Sequence, residues 1–139
     1  MSDTSNKALI KRWFDCVWNG GDACSVESFL APDCVHEGIL PTPVTGPKEF
    51  RAFHKGINDA VADVTITIED MIEDGDKVAG HFTVTGTHRK TGQDIRFTSH
   101  FFARCKDGKV IHTANEVDYL GLLTQLGEVS PDAMNKAMS

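Results

Sequence analysis

Apolar and polar residues alternate along three consecutive stretches in the second half of the chain. The alternation predicts β-strands at residues 77–88, 94–105 and 109–118, because the side chains of a strand point alternately to its two faces. The connecting sequences Lys90-Thr-Gly-Gln93 and Lys106-Asp-Gly-Lys109 favour tight β-hairpins. Since two-residue loops fix which residues face each other, the sequence predicts an antiparallel sheet of defined register.

The predicted register gives the sheet one apolar face that also carries ionisable side chains. Ser99 is expected opposite Glu116 and Phe97 opposite Asp118, and directly opposed residues share a face. The members of this face are Val78, Gly80, Phe82, Val84, Gly86, His88, Ile95, Phe97, Ser99, Phe101, Ala103, His112, Ala114, Glu116 and Asp118. An ionisable group on an apolar wall is costly unless it is paired, neutral or open to a pocket. His88, Glu116 and Asp118 are therefore candidate functional residues.

The first half of the chain is mainly helical by the same pattern analysis. Apolar residues recur at helical spacing over residues 6–19, about 23–30 and about 47–61, whereas alternation predicts strands at 34–37 and 63–71. A short amphipathic helix is expected at 120–126. Helices followed by antiparallel strands predict a single α+β domain over residues 1–139, in which a curved sheet wraps the helices as a cone with an internal pocket. Residues 128–139 are poor in apolar side chains and are expected to form a flexible tail or to wrap a neighbouring chain.

Composition narrows the classes of partner. The 139 residues carry a net charge of −6 and no basic run, which argues against nucleic acid or an anionic membrane as the main partner. No signal peptide or membrane-spanning run is evident, so a cytoplasmic protein is expected. Four cysteines, Cys16, Cys24, Cys34 and Cys105, lack a metal-binding spacing and are expected as small buried hydrophobes. Neither a metal nor a cofactor motif is present, so we expect chemistry without either.

Several short sequences stand in a fixed order between Asn6 and Gly127. They are Asn6-Lys-Ala-Leu-Ile-Lys-Arg-Trp-Phe14, Phe29-Leu-Ala-Pro-Asp-Cys-Val-His36, Thr45-Gly-Pro-Lys-Glu-Phe-Arg51, Ile68-Glu-Asp-Met-Ile-Glu-Asp-Gly-Asp-Lys-Val-Ala79, Thr85-Gly-Thr-His88, Asp107-Gly-Lys-Val110 and Asp118-Tyr-Leu-Gly-Leu-Leu-Thr-Gln-Leu-Gly127. In this order they resemble the SnoaL-like polyketide cyclase family of the nuclear-transport-factor-2-like superfamily. The resemblance implies a cone-shaped fold, homodimers that pair sheet to sheet, and a small apolar carbonyl compound as substrate.

The resemblance also implies roles for individual residues. An aspartate at the position matching Asp118 acts as acid and base in an intramolecular aldol ring closure in these cyclases. His88 and Glu116 are predicted to assist it, and His36 stands where the superfamily often places a polar pocket residue. The predicted pocket wall consists of Trp13, Trp18, Phe82, Phe97, Ser99 and Phe101. Ala114 stands where the family often has tryptophan, which argues against a bulky polyketide ester.

Alternatives remain open at each site and for the whole protein. Asp118 is also a good N-cap for the helix at 120–126, Glu116 a possible ion-pair partner, and His88 a solvated turn residue. A non-catalytic binding protein of the same fold is the main rival to an enzyme. An epoxide hydrolase is a further alternative, against which Arg96 and Arg104 count because both are predicted on the outer face of the sheet.

Overall fold

The computed structural model describes residues 4–20 and 25–139. Helix α1 (Asn6–Trp13) is capped at its N-terminus by Ser5, whose hydroxyl accepts a hydrogen bond from the backbone N–H of Ala8 at 3.1 Å. It continues as a π-helical segment (Phe14–Asn19). The helix predicted at 6–19 is therefore confirmed in its extent, but its second half is a π-helix rather than an α-helix. Helix α2 (Val26–Phe29) lies in the predicted helix 23–30, of which residues 23 and 24 are outside the described residues.

The remaining elements include the predicted ones in their predicted order, together with one strand and one helix that were not predicted. The full set is β1 (Leu30–Glu37), β2 (Val44–Thr45), α3 (Gly46–Ala60), β3 (Val61–Asp74), β4 (Lys77–His88), β5 (Asp94–Lys106), β6 (Lys109–Val117), α4 (Tyr119–Gln125) and α5 (Ala133–Met138). The elements that were not predicted are the strand β2 and the helix α5. The six strands form one sheet in the order β2-β1-β6-β5-β4-β3, in which only the β1–β6 pair is parallel. Helices and one sheet in this arrangement confirm the predicted α+β class.

The core fills the space between the helices and the inner face of the sheet. Buried residues of α1 and the π-helical segment, such as Ile10, Trp13 and Phe14, pack with Val84 and Phe101 of the strands. The Phe14 ring lies 4.8 Å from that of Phe82 and 5.6 Å from that of Phe101, measured between centroids. These edge and tilted contacts are the geometries that aromatic pairs favour.

The first hairpin keeps the predicted faces although its loop is longer than predicted. Gly86, rather than His88, is the partner of Ile95. The backbone N–H of His88 donates to the carbonyl of Gln93 at 2.8 Å, which closes a wider turn. The register therefore moves by two residues, and a two-residue shift leaves every side chain on the same face.

The second hairpin shows the opposite outcome, and here the predicted register is wrong. Cys105 pairs with Val110 as predicted, but an irregularity between Arg104 and Cys105 moves the rest of β6 by one residue. Ser99 consequently pairs with Val117 instead of Glu116. A bulge of one residue exchanges the two faces of a strand. The predicted inner positions of His112, Ala114, Glu116 and Asp118 are therefore wrong, and Thr113, Asn115 and Val117 take the inner face.

The C-terminal region contains two short helices. Asp118 caps α4, because its Oδ1 atom accepts a hydrogen bond from the Gly121 N–H at 2.9 Å. The segment predicted as a tail includes α5 and is mostly exposed. Among the described residues, no helix is long and apolar enough to cross a membrane. Cys34 and Cys105 are buried as expected, whereas the expectation was wrong for Cys16, which is exposed, and Cys24 lies outside the described residues.

A candidate ligand-binding cavity

A cavity of about 100 Å³ lies between the helices and the inner face of the sheet. Its lining is mainly aromatic and aliphatic and consists of Ile10, Trp13, Phe14, Trp18, Leu30, His36, Ile39, Phe50, Phe53, Ile57, Ile66, Phe82, Val84, Phe97, Ser99, Phe101, Ala103, Val110, Thr113, Asn115, Val117 and Tyr119. None of these described lining residues is Asp, Glu, Lys or Arg. The cavity therefore suits an uncharged, largely apolar ligand, since transfer of a lone charge into such a space is unfavourable.

A hydrogen-bonded group of polar side chains spans β1 and β6 at the cavity wall. The Nδ1 atom of His36 lies 2.8 Å from the Oγ1 atom of Thr113. The Nδ2 atom of Asn115 donates to the same Oγ1 atom at 2.9 Å and to the carbonyl of Glu37 at 2.9 Å. The parallel pairing of His36 with Thr113 and of Glu37 with Ala114 brings these groups together. We call His36, Thr113 and Asn115 the polar cluster.

His36 is neutral at physiological pH in this environment. Its pKa is lowered from 6.5 to about 4, mainly by burial, because the charged ring would lose its hydration, and to a smaller extent by the nearby His112. The Nε2 atom lies 3.7 Å from the buried Sγ atom of Cys34. Burial raises the pKa of that thiol to about 12, with Asp33 and Cys105 contributing in the same direction, so the thiol keeps its proton. The imidazole is thus held between a hydroxyl and a neutral thiol.

Two further hydroxyl groups of the lining donate to main-chain carbonyls. The Tyr119 hydroxyl donates to the carbonyl of Ile39, which ties the loop after β1 to the start of α4. Burial raises the pKa of Tyr119 to about 12, so the phenol stays neutral. The Ser99 hydroxyl donates to the carbonyl of Glu116 at 3.2 Å. These bonds orient both side chains and occupy their single donors.

The residues predicted for substrate binding all line the cavity. They are His36, Trp13, Trp18, Phe82, Phe97, Ser99 and Phe101. Sequence reasoning assigned both Thr113 and Asn115 to the outer face, because it used a register without the irregularity between β5 and β6. Tyr119 was the only tyrosine of the chain, but no spacing argument fixed its direction. The aromatic wall was therefore easier to predict than the polar cluster.

The three residues predicted to be catalytic do not line the cavity and do not lie together. Asp118 is exposed beyond the end of β6, and its backbone N–H bonds to Thr98, a residue of the outer face. Glu116 is exposed on the outer face opposite His100. His88 is buried on the inner face, where its Nδ1 atom lies 3.0 Å from Thr91 Oγ1 in the turn. The predicted meeting of Asp118 with His88 in one pocket is wrong, while a catalytic role for each remains a prediction.

Metal binding and epoxide hydrolysis find no matching arrangement in the part of the chain that the structure describes. No group of three or more His, Cys, Asp or Glu side chains there is placed to hold a metal ion. Arg96 and Arg104 are exposed and lie outside the cavity lining. The described cavity lining therefore lacks the arginine that the epoxide hydrolase alternative required.

Comparisons with known proteins identify the family and the fold. The model of the SnoaL-like polyketide cyclase family matches residues 8–126. IdmH from Streptomyces antibioticus, provisionally assigned as a polyketide cyclase, superposes with a TM-score of 0.77 at 24% identity, covering 87% of this chain and 97% of that one. AclR from Streptomyces galilaeus, provisionally assigned as a hydroxylase, gives 0.78 at 26% identity over 88% and 96%.

A third solved structure connects the chain to a wider fold group. A protein of ketosteroid isomerase-like fold from Catenulispora acidiphila, in complex with trimethylamine, gives a TM-score of 0.78 at 14% identity, covering 88% of this chain and 95% of that one. No curated protein sequence matches the chain. The structural neighbours confirm the predicted cone-shaped fold, and their differing assigned activities show that the fold alone does not decide the reaction.

Proposed function

The chain belongs to the SnoaL-like polyketide cyclase family, and from this membership and the cavity we propose that it binds a small, uncharged carbonyl compound and moves a proton on it. The reaction would be a cyclisation or an isomerisation without a cofactor. The observation that carries the proposal is the neutral polar cluster of His36, Thr113 and Asn115 in an otherwise apolar lining. An apolar site with a few convergent polar groups is the usual form of a small-molecule site.

The size of the cavity limits the ligand. An apolar cavity of about 150 Å³ holds benzene, and the cavity here measures about 100 Å³. It is therefore smaller than the space that holds benzene, so even one small ring enters only with some movement of the walls. A larger compound requires displacement of half-buried lining residues such as Trp18, Phe53 and Ile57.

We assign the proton transfer to His36 acting through Thr113. With its proton on Nε2, His36 accepts the hydroxyl proton of Thr113 at Nδ1, across the 2.8 Å contact. Thr113 Oγ1 in turn takes the proton that leaves the substrate. The products are an imidazolium and a substrate anion, and the reverse transfer returns the proton to another substrate atom. A pKa of about 4 keeps His36 unprotonated at neutral pH and makes its imidazolium form a strong acid, which returns the proton to the substrate readily.

Hydrogen–deuterium exchange on a simple ketone tests this assignment without knowledge of the natural substrate. Proton NMR in D2O measures how fast the protein exchanges the α-protons of cyclohexanone and acetophenone. We expect the parent protein to accelerate exchange, and His36→Gln to remove roughly a hundredfold or more of that acceleration, as loss of a general base does. Asp118→Asn is the matched control and is expected to keep it. Exchange that survives in His36→Gln and disappears in Asp118→Asn would transfer the role to Asp118.

A non-catalytic binding protein is the second candidate, and one observation favours it. The described cavity lining has no carboxylate, and both imidazole nitrogens of His36 already have neighbours in Thr113 and Cys34. Trp13 and Trp18 line the cavity, so ligand binding is measurable by their fluorescence. Binding of the ketones without any exchange in the parent protein would favour this candidate over the enzyme. Absence of both would overturn the proposed ligand class.

A further inference from the structure

Three lining side chains have their hydrogen-bond donors committed to main-chain carbonyls. The Ser99 hydroxyl donates to Glu116, the Asn115 amide to Glu37, and the Tyr119 hydroxyl to Ile39. A peptide carbonyl only accepts, so the direction of each of these bonds is fixed. The second N–H of Asn115 is also occupied, because it donates to Thr113 Oγ1 at 2.9 Å. The hydrogen-bond donors of all three side chains are thus already bonded within the protein and are not available to a ligand.

These three side chains can still accept hydrogen bonds from a ligand. The amide nitrogen of Asn115 must face the carbonyl of Glu37, which leaves Oδ1 as the free atom of that amide. The oxygens of Ser99 and Tyr119 likewise keep lone pairs after donating. The strand side of the cavity therefore offers acceptors far more readily than donors. Trp13 and Trp18, whose indole N–H groups are donors, belong to the helix side of the lining.

From this balance we infer that the polar end of the cavity recognises a ligand that donates a hydrogen bond, namely an enolic or phenolic hydroxyl on a small apolar ring. The inference rests on the ligand-binding part of the proposed function and makes it more specific. An ether, or a ketone in its keto form, brings only acceptors to this acceptor-rich wall, so a ketone is expected to bind more weakly than its enol. A hydroxyl group instead pairs with Asn115 Oδ1 or Ser99 Oγ and loses little by leaving water.

For a ligand bound as an enol or a phenol, the same count of donors and acceptors identifies which proton the His36–Thr113 pair removes. When the Thr113 proton is donated to His36 Nδ1, Thr113 Oγ1 accepts from Asn115 and has one further lone pair for the ligand. The group that fills it is a donor, so the proton removed is that of the ligand hydroxyl. The O–H bond breaks, its proton joins Thr113 Oγ1, the Thr113 proton passes to His36 Nδ1, and the electron pair stays on the ligand oxygen as an enolate or phenolate.

Three matched ligands test the inference on the unmodified protein. The dissociation constants of 4-ethylphenol, 4-ethylanisole and ethylbenzene are measured by quenching of tryptophan fluorescence. A cavity without acceptors for the ligand would bind the phenol most weakly, because the phenol alone loses a donated hydrogen bond to water. We expect the reverse order, with the phenol bound roughly fivefold more tightly than its methyl ether, the ratio that a net hydrogen bond typically gives.

The outcomes separate this inference from the proposed function. Equal binding of the three, or tighter binding of the ether, overturns the inference and leaves the apolar site intact. Binding of none overturns the proposed function itself. Asn115→Leu is expected to abolish the preference for the phenol while ethylbenzene still binds, and Glu116→Gln, on the outer face, is the control that keeps it. If Asn115→Leu fails to fold, the order of the three ligands on the parent protein still decides.

Discussion

The Nδ1 atom of His36 and the Oγ1 atom of Thr113 lie 2.8 Å apart because β1 and β6 run parallel with these two residues as partners. The contact joins the first strand of the sheet to the last, across 76 intervening residues. It is also the point at which an otherwise apolar cavity acquires a titratable group. The stability of the fold and the chemistry of the cavity are therefore coupled through one histidine.

This coupling predicts a pH dependence of stability that belongs to His36. Its pKa is about 4 in the folded chain and 6.5 in a model peptide, so the unfolded chain binds the extra proton between these values. The contribution of His36 to the free energy of unfolding is fully present above pH 6.5 and is lost as the pH falls towards 4. The loss amounts to roughly 3 kcal/mol over the whole window. Urea unfolding at pH 7 and at pH 4.5 measures it.

His36→Gln isolates this contribution from the carboxylates that also titrate in that range. The variant is expected to lose less stability than the parent protein between the two pH values, by most of the His36 contribution. His100→Gln, which removes an exposed histidine, serves as the control and should follow the parent. Parallel pH profiles for the parent and His36→Gln would show that His36 is not buried neutral.

The second prediction concerns Asp118, where two substitutions distinguish a role in helix capping from a role in catalysis. Its Oδ1 atom accepts from the Gly121 N–H at 2.9 Å. Because asparagine caps as well as aspartate, Asp118→Asn should keep the melting temperature, whereas Asp118→Ala should lose about 1 kcal/mol. Both variants are expected to bind the ketones and phenols as the parent does, since the carboxylate lies outside the cavity lining. Loss of binding in Asp118→Asn at unchanged stability would contradict this arrangement.

Gly38 is a position where any side chain should disrupt the site. A Cβ atom there would overlap the carbonyl oxygen of Asn115, and the residue has a φ of +85°. Gly38→Ala is expected to cost about 3 kcal/mol or more, from steric overlap and left-handed backbone together. Gly92 has a φ of +75° with nothing near its Cβ position, so Gly92→Ala isolates the backbone effect at about 1 kcal/mol. Thermal melts showing equal losses would contradict the close approach of Gly38 to β6.

The sequence predicts the faces of β4 and β5 correctly but those of β6 incorrectly, for one physical reason. Hairpin errors of two residues preserve side-chain direction, and errors of one residue reverse it. The irregularity between Arg104 and Cys105 has no glycine or proline to mark it. The polar residues Thr113 and Asn115 were therefore predicted on the outer face, while Phe82, Phe97 and Phe101 were predicted in the cavity wall.

Two other features depend on tertiary contacts that pattern analysis does not reach. The π-helical segment follows α1 without a change in sequence pattern, and the His54 ring donates to its Val17 carbonyl at 2.9 Å. The side chain of Asn19 bonds to both backbone groups of Ile66 on β3. Each contact joins residues more than thirty positions apart. Helical periodicity predicts a helix at this place but not which carbonyl a distant side chain will bind.

Association through the outer face of the sheet is the fourth prediction. We expect a homodimer that covers the outer-face residues Thr83, Thr85, Thr98, His100 and Phe102. The register predicted from the sequence placed Thr113 and Val117 on this face as well, but in the structure Ala114 and Glu116 take those positions. Phe102 is 39% exposed in the single chain. Light scattering at micromolar concentration should give twice the monomer mass, and Phe102→Asp should give the monomer. Ile72→Asp, an exposed change on the edge strand β3, should leave the dimer intact, and a monomeric parent would contradict the prediction.

The register of β6 is testable by one pair of neighbouring substitutions. Val117 pairs with Ser99 and lines the cavity, whereas Glu116 pairs with His100 and is exposed. Val117→Lys places a charge among aromatic side chains and should cost about 3 kcal/mol or more and abolish ligand binding. Compared in the monomeric Phe102→Asp background, Glu116→Lys should change stability by no more than about 0.5 kcal/mol and leave binding unchanged. If β6 instead had the register predicted from the sequence, Glu116 would face the cavity. Glu116→Lys would then be the destabilising substitution and Val117→Lys the neutral one. Urea unfolding and tryptophan quenching on both variants decide between the registers, and with them whether Thr113 and Asn115 belong to the site.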